Sequence, residues 1–214
     1  MKPHKLFEIY TDRKRIYTKS ILPGRTHFDE RTQKGYREFD PTRSKLAATI
    51  MKGCTNIGIR KGDWVLYLGL SHGYTASFVS DIVGKEGVVF GVDPAPRVVR
   101  DAVFLAEERN NIIPLLANAN HPEEYMDRVT GADIVYQDIA QKNQMDIFVR
   151  NCVVFLKKGG YGLLAVKARS IDVKRKPKDI FIEIRKKLDR IFTVIDYKIL
   201  DPYEKDHCLI IIKK

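Results

Sequence analysis

The run Val65-Leu66-Tyr67-Leu68-Gly69-Leu70-Ser71-His72-Gly73-Tyr74-Thr75 constrains the fold of this chain more than any other stretch. A short apolar segment, too short for a helix, ends in two glycines four residues apart. Beyond them Tyr74, Phe78, Val79, Ile82 and Val83 fall on one helical face, and Gly84 supplies a stop. The pattern predicts a buried strand, a tight turn and a helix, the opening unit of a nucleotide-binding α/β sheet. Glycine lets backbone approach a ligand closely, and the free N–H groups at the helix start face that ligand. Alone, Gly-x-x-x-Gly serves a packing turn as readily as a cofactor.

The next apolar run, Val88-Val89-Phe90-Gly91-Val92-Asp93, predicts a second strand ending in an acid. An acid about 20 residues past such a turn is placed to accept ribose hydroxyls. The dinucleotide fingerprint Gly-x-Gly-x-x-Gly is absent, so the pattern favours S-adenosylmethionine (SAM) over NAD.

A chain of 214 residues, 44% apolar, can bury one substantial core with a small appendage. Lys and Arg number 38 against 27 Asp and Glu, a formal net charge of +11. Lys174, Arg175, Lys176 and Lys178 crowd one segment, which points to a polyanionic partner rather than a generally basic surface. Cys54, Cys152 and Cys208 stand apart with no metal-type spacing, as reduced core residues do. No metal site is expected. No signal-type segment and no apolar run near the ~18 residues of a membrane span is seen. The expectation is a soluble, cytoplasmic protein.

Residues 1 to 40 read as a small N-terminal β domain. Lys5 to Thr11 and Arg15 to Ser20 are strand-like runs around Asp12-Arg13, and Leu22-Pro23-Gly24 marks a turn. The basic residues here either touch RNA or solvate an edge sheet, and the second is the expectation. Residues 41 to 214 alternate strand and helix, which means a doubly wound, mostly parallel sheet. Asp40-Pro41-Thr42 opens a helix with Leu46, Ala47, Ile50 and Met51 inward, and Pro94 and Pro96 start another. Ile112 to Ala117 is a third strand, His121-Pro122 begins a short helix, and Ala132 to Asp138 is a fourth strand, again ending in an acid. Met145 to Leu156 forms a helical stripe that Lys157-Lys158-Gly159-Gly160 closes. Tyr161 to Ala168 is the fifth strand, with Lys167 at its far end. A last helix around Ile180 to Leu188 precedes two strands, near Phe192 to Ile199 and His207 to Ile212.

Several segments together resemble fibrillarin in its archaeal form. They are Arg43-Ser44-Lys45-Leu46-Ala47-Ala48, the Leu66-to-Thr75 turn, Ala95-Pro96-Arg97, Asn111-Ile112-Ile113-Pro114, Asp138-Ile139-Ala140-Gln141, Lys167-Ala168-Arg169-Ser170-Ile171-Asp172 and Glu204-Lys205-Asp206-His207. They run in order over nearly the whole chain, without the glycine- and arginine-rich leader of eukaryotic members. The resemblance implies a Rossmann-like, seven-stranded SAM-dependent methyltransferase fold whose last strand runs antiparallel beside the fifth. It implies 2′-O-methylation of ribose in rRNA or tRNA inside a box C/D ribonucleoprotein particle. There a guide RNA selects the target RNA, a Nop-domain scaffold protein holds the enzyme, and a kink-turn-binding protein anchors the RNA.

In that topology the carboxyl ends of strands four and five and the start of the last strand lie along one edge. Asp138, Lys167 and His207 are then expected to converge, with Lys45 entering from the preceding helix, as a Lys-Asp-Lys-His tetrad. A ribose hydroxyl needs a proton acceptor to become a nucleophile. The expected division is Lys167 as acceptor, Asp138 orienting it, and Lys45 and His207 positioning the ribose and phosphate. For SAM, Gly69, Ser71, Gly73 and Thr75 match the turn that cradles the methionine end. Asp93 replaces the usual glutamate, and either carboxylate accepts ribose hydroxyls. Asn118, beside Ala119, stands where the family commonly has aspartate for the adenine amino group, and Gln141 closes the pocket, with Asp138 shared. His72 and Tyr74 replace smaller residues, and either crowd the pocket or pack behind it.

Two other readings remain open from sequence. One is a stand-alone SAM methyltransferase acting on a base or a protein, although Asp138-Ile139-Ala140-Gln141 is not the Asn/Asp-Pro-Pro-Tyr loop of base-amine enzymes. The other is a non-catalytic scaffold of an RNA particle.

Overall fold

The computed structural model describes residues 1–214. Five short strands come first: β1 (Lys2–Pro3), β2 (Ile9–Asp12), β3 (Arg15–Lys19), β4 (Thr32–Gln33) and β5 (Tyr36–Glu38). The helix α1 (Lys45–Met51) leads into β6 (Trp64–Leu68), α2 (Tyr74–Val83), β7 (Val88–Asp93), α3 (Pro96–Glu108) and β8 (Ile112–Leu116). A 3₁₀ turn at Pro122–Glu124 precedes β9 (Ala132–Gln137), α4 (Gln144–Phe155) and β10 (Leu156–Lys167). The chain ends with α5 (Ala168–Ile171), α6 (Pro177–Leu188), β11 (Thr193–Ile199) and β12 (His207–Lys213).

The larger sheet has the order β11-β12-β10-β9-β6-β7-β8. Strands β6 to β10 pair in parallel, and β12 lies antiparallel between β10 and β11. This is the expected seven-stranded methyltransferase topology. Successive residues of each strand feed opposite faces. Val65, Tyr67 and Leu163 join a core with α1, α2, α3 and the N-terminal strands, whereas Leu66, Leu68 and Leu164 join a second core with α4 and α6.

The expected helix 74–83 and its glycine stop are observed, with Gly84 as C-cap at φ +71°. Three expectations need correction. The strand set at Lys5 begins only at Ile9, after a turn in which Glu8 has φ +53°. Asp40 does not cap α1; it closes a turn of its own, its Oδ1 accepting from the Thr42 N–H at 2.8 Å. Ser44 is the cap, accepting from the Ala47 N–H at 3.3 Å. The Lys157–Gly160 segment does not close α4 but opens β10 with a bulge. Lys157 pairs with Asp133 at 2.8 Å, and a side chain at Gly160 would lie 2.7 Å from the Asp133 carbonyl. Gly160 serves a close strand approach, and Gly159 serves the turn before it at φ +82°.

Arg37 also departs from expectation: it does not solvate the edge of the small sheet but is fully buried. Its Nε lies 2.6 Å from Glu30 and its Nη1 2.8 Å from Asp81 on α2. Arg109, just past α3, donates to Asp81 at 2.7 Å, and the Thr18 hydroxyl adds a bond of 2.8 Å. Two guanidinium groups and two carboxylates thus balance between the small sheet and α2.

Burial alone would raise the Glu30 carboxyl, but the Arg37 charge and the Arg37 and Phe28 hydrogen bonds outweigh it and hold Glu30 below its ordinary range. A group depressed in this way stabilises the fold above its unfolded value, near ~4.3, and that stability is lost as pH falls through the folded value. The melting temperature should therefore drop on acidification below about pH 4.5. In Glu30→Gln, which has no carboxyl to protonate, thermal scans should show that part of the drop flattened.

Candidate active site

The carboxyl ends of the parallel strands carry the chemistry. Asp138 follows β9, Lys167 ends β10, and Lys45 is the first residue of α1. Lys167 Nζ lies 2.9 Å from Asp138 Oδ1, and Lys45 Nζ lies 3.2 Å from Oδ2. One carboxylate is therefore shared by two lysines from distant segments. Lys167 also points a hydrogen at the Asp138 carbonyl, 3.4 Å away. The side chains of Lys45, Asp138 and Lys167 are 13, 16 and 20% exposed, so the cluster is sheltered yet reachable.

His207 begins β12 directly opposite Lys167 in the strand register. Its Nδ1 sits 2.6 Å from the Lys205 carbonyl. A carbonyl only accepts, so Nδ1 carries the hydrogen and Nε2 is left with a free lone pair in the neutral ring. The ring forms no hydrogen bond or ion pair with the lysines or Asp138; it neighbours them through the backbone.

Three contributors escaped the sequence reading. Glu204 stands 3.8 Å from Lys45 and adds a second negative charge beside it. Gln144, fully buried on α4, accepts the Lys167 N–H at 2.9 Å and donates to the Lys167 carbonyl at 3.3 Å. It fixes the backbone from which the lysine projects. Tyr67 forms part of the cavity lining; burial first, and then the Asp138 charge, hold its phenol far above the ordinary range, so it stays a neutral hydroxyl. Glu204 lies within a segment that carried the resemblance, whereas nothing in the sequence marks Gln144 or Tyr67.

Two cavities, of about 370 and 270 Å³, meet at this cluster and share Gly69, Ser71, Asp138 and Lys167. The smaller is lined further by Asp93, Asn118, Ala119 and Gln141. The larger takes in Lys45, Thr75, His72 and Tyr74. A larger cleft of about 580 Å³ lies between the N-terminal strands and residues 55–60, away from these groups.

The turn is built to admit a ligand. Gly69 has φ +82°, and a side chain there would stand 2.7 Å from the Asp138 carbonyl. The Ser71 and Ala95 N–H groups hold the two oxygens of Asp93 at 3.1 and 3.0 Å, leaving further lone pairs for hydroxyl groups. Helix α2 starts at Gly73 with no side-chain cap, so its first N–H groups are open to an acceptor. Gly73 itself lines neither cavity. Its added Cβ would strike Leu105 at 2.5 Å, so it serves the packing of α2 on α3.

Asn118, Ala119 and Gln141 line the smaller cavity and Thr75 the larger, with some of their polar atoms already engaged. Asn118 Oδ1 accepts from the N–H and side-chain amide of Asn120, at 3.0 and 3.1 Å. Gln141 Oε1 accepts from the same amide at 3.1 Å. Ala119 is buried, its carbonyl accepting from Asn151 at 2.9 Å. The Thr75 hydroxyl donates to Ser44 at 3.0 Å, tying α2 to the cap of α1. His72 pairs with Asp101 at 3.3 Å, and Tyr74 packs between Phe28 and Phe78. Neither fills the cavity.

The donors fit an adenosyl cofactor: an acid on a strand end, a glycine turn and a polar cavity contiguous with a shared lysine–carboxylate cluster. Comparison with known proteins agrees. A family model described as fibrillarin matches residues 1–214. A fibrillarin-like rRNA/tRNA 2′-O-methyltransferase of Pyrococcus horikoshii is 46% identical over 100% of this chain and 98% of that protein. A chain of a fibrillarin/Nop5p complex superposes with a TM-score of 0.92 at 38% identity, covering 99% of this chain and 100% of that one. Fibrillarin of Aeropyrum pernix, solved in complex with natively bound SAM, gives 0.84 at 43% identity, covering 92% and 88%.

Proposed function

The chain belongs to the fibrillarin family, and from that premise we infer that it methylates the ribose 2′-hydroxyl of rRNA and tRNA with SAM. The observation that carries this reading is the meeting of two cavities at the Asp138–Lys167 pair. The smaller offers adenosyl contacts, and the larger gives room for the methionine half, so that the reacting methyl group falls beside the proposed proton acceptor.

SAM, when bound, supplies a methyl group already activated on a sulfonium. What remains for the protein is to align the ribose oxygen and remove its proton. We assign the acceptor role to the Lys167 amine, held in place by Asp138 and by the Gln144 clamp on its backbone. Lys45 shares the Asp138 carboxylate with Lys167, at 3.2 and 2.9 Å, and keeps the two side chains in fixed relation. As the oxygen–methyl bond forms and the sulfur–methyl bond breaks, the hydroxyl proton passes to Lys167 Nζ. Lys45 and His207 position the ribose and phosphate, and Glu204 tempers the positive charge beside Lys45. Asp93 takes the ribose hydroxyls of SAM, and Ser71 and Thr75 border its methionine half.

The partner of this chain is a Nop-domain scaffold, in line with the fibrillarin/Nop5p complex. A box C/D guide RNA and a kink-turn-binding protein complete the particle in this reading. No helix is long and apolar enough to cross a membrane, and we place the work in the cytoplasm with the RNA. Residues 1–40 then act as an appended β domain locked on the catalytic domain, 41–214, through Asp81.

In the segment after Lys167, Arg175 and Lys187 are engaged by Glu183, and Arg169 by Asp206. Lys174, Lys176 and Lys178 are left for phosphates, which makes RNA binding salt-dependent and insensitive to sequence.

Since both lone pairs of Asn118 Oδ1 are spent on Asn120, Asn118→Asp would add a second oxygen free for the adenine amino group. Calorimetric titration should show SAM binding tightened by about 2–10-fold, the worth of one net hydrogen bond. The reaction itself is tested by alkaline hydrolysis of RNA labelled from methyl-labelled SAM. A 2′-O-methyl group blocks cleavage at its own phosphodiester, so the label should survive in an uncleaved dinucleotide. Label recovered in mononucleotides would place the methyl group on a base.

A further inference from the structure

Arg43 lines the larger cavity beside Lys45, Ser71, Thr75 and Tyr74. Its guanidinium carbon lies 4.2 Å from the centre of the Tyr74 ring, and Nη1 donates to the Phe28 carbonyl at 2.7 Å. Tyr74 is braced in turn by Phe28 and Phe78, with ring centres 5.4 and 5.1 Å away. The arginine is therefore held in one orientation before any ligand arrives, which lowers the ordering cost of binding.

Its charge is the unmatched one in this cavity. Lys45 and Lys167 share Asp138, and His72 pairs with Asp101. Arg43 has no carboxylate within ion-pair distance, and its Nε and Nη2 make no hydrogen bond. A pinned guanidinium with two free donors in a concave site is suited to a small planar anion.

The nature of that anion follows from the layout of the two cavities. Asp93, Asn118 and Gln141 place the adenosyl half of SAM in the smaller one. Past the shared Gly69 and Ser71 the smaller cavity continues into the larger one, which gives room for the amino acid half. That half ends in a carboxylate. We propose that Arg43, stacked on Tyr74, binds the carboxylate of the SAM methionine and so selects the intact cofactor. The assignment rests on the SAM reading above. An RNA phosphate is the competing anion; the carboxylate is favoured because Arg43, although exposed, lines the same cavity as Gly69 and Ser71.

The test compares SAM with decarboxylated SAM, an analogue lacking only that carboxylate, by calorimetric titration of the purified protein. Wild-type protein should prefer SAM. Arg43→Ala should weaken SAM by about 10–100-fold, the worth of hydrogen bonds to a charged group, and leave decarboxylated SAM unchanged. Arg43→Lys should fall between, since it keeps the charge without the paired donors. Arg43→Ala binding SAM as wild type does, or weakening both ligands alike, would overturn the proposal. Loss of RNA binding with SAM affinity intact would assign Arg43 to phosphate. If wild-type protein bound neither ligand, the cofactor reading itself would fail, a result distinct from any of these. Unchanged melting curves for the variants exclude a folding defect.

Discussion

Lys167→Ala should lower the rate of methyl transfer by roughly 10³-fold at saturating SAM and RNA, the middle of the range for a positioned acid or base. The loss belongs in kcat, because the amine acts on the hydroxyl proton only as the bond to the methyl group forms. SAM affinity should stay within a few-fold of wild type, since Asp93, the glycine turn and the start of α2 remain. Asp138→Asn is the companion: it keeps the shape but removes the charge that Lys45 and Lys167 share at 3.2 and 2.9 Å. Lys167 would then lose the partner that orients it, and Lys45 would keep only Glu204. The two single losses should be far from additive in the double variant, as expected of residues that act as one unit. Full activity in Lys167→Ala would remove the lysine from the mechanism.

The largest effect on stability is expected far from the site. Asp81→Ala would strip the carboxylate that both Arg37 and Arg109 use at 2.8 and 2.7 Å, in a place where all three side chains are fully enclosed. Breaking a buried pair by removing one partner costs about 3–5 kcal/mol, because the other charge stays behind unmatched. Two charges are left here, so the upper end applies. For a chain of this size each kcal/mol moves the melting temperature by about 2–4 °C, which gives a fall of about 10–20 °C. Arg37→Met alone should cost less than Asp81→Ala, because Asp81 would keep Arg109. Differential scanning calorimetry of the two variants orders them, and the reverse order would mean that the cluster does not act through its charges.

These two cases show what the sequence could and could not disclose. The strand–turn–helix at 64–84 is legible because its pattern is local: an apolar run, a glycine turn, a 3.6-residue stripe and a glycine stop. The start of α1 is ambiguous in the sequence because Asp40 and Ser44 are both capping residues, and only the fold reveals that Asp40 spends its carboxylate on Thr42. Lys157–Gly160 looks like a helix end from composition alone, yet Gly160 is required by the approach of β10 to β9. The encounter of Lys45, Asp138 and Lys167 joins residues as far as 122 apart, and no periodicity could signal it. It was reached through resemblance and strand topology. The Arg37–Asp81–Arg109 cluster had no such guide, and Arg37 passed for one more surface cation.

The departures at His72 and Asn118 keep a SAM-free scaffold open at the level of sequence, and Tyr74 raises the question of crowding. The geometry argues against crowding: His72 turns to Asp101, and Tyr74 packs into an aromatic brace, leaving the joined cavities open. Asn118 is the residue whose acceptor is diverted, to Asn120, while the Asp93 carboxylate is held at the strand end.

The most direct test of the account is transfer of a labelled methyl group from SAM in a reconstituted box C/D particle. Guide-matched RNA would be compared with a mismatched RNA and with this protein alone. The prediction is label on a 2′-oxygen at the guide-matched nucleotide, absent from the mismatched RNA and lost in Lys167→Ala. An assembled particle that binds SAM and guide-matched RNA yet transfers no label would contradict it, and would leave this chain a scaffold.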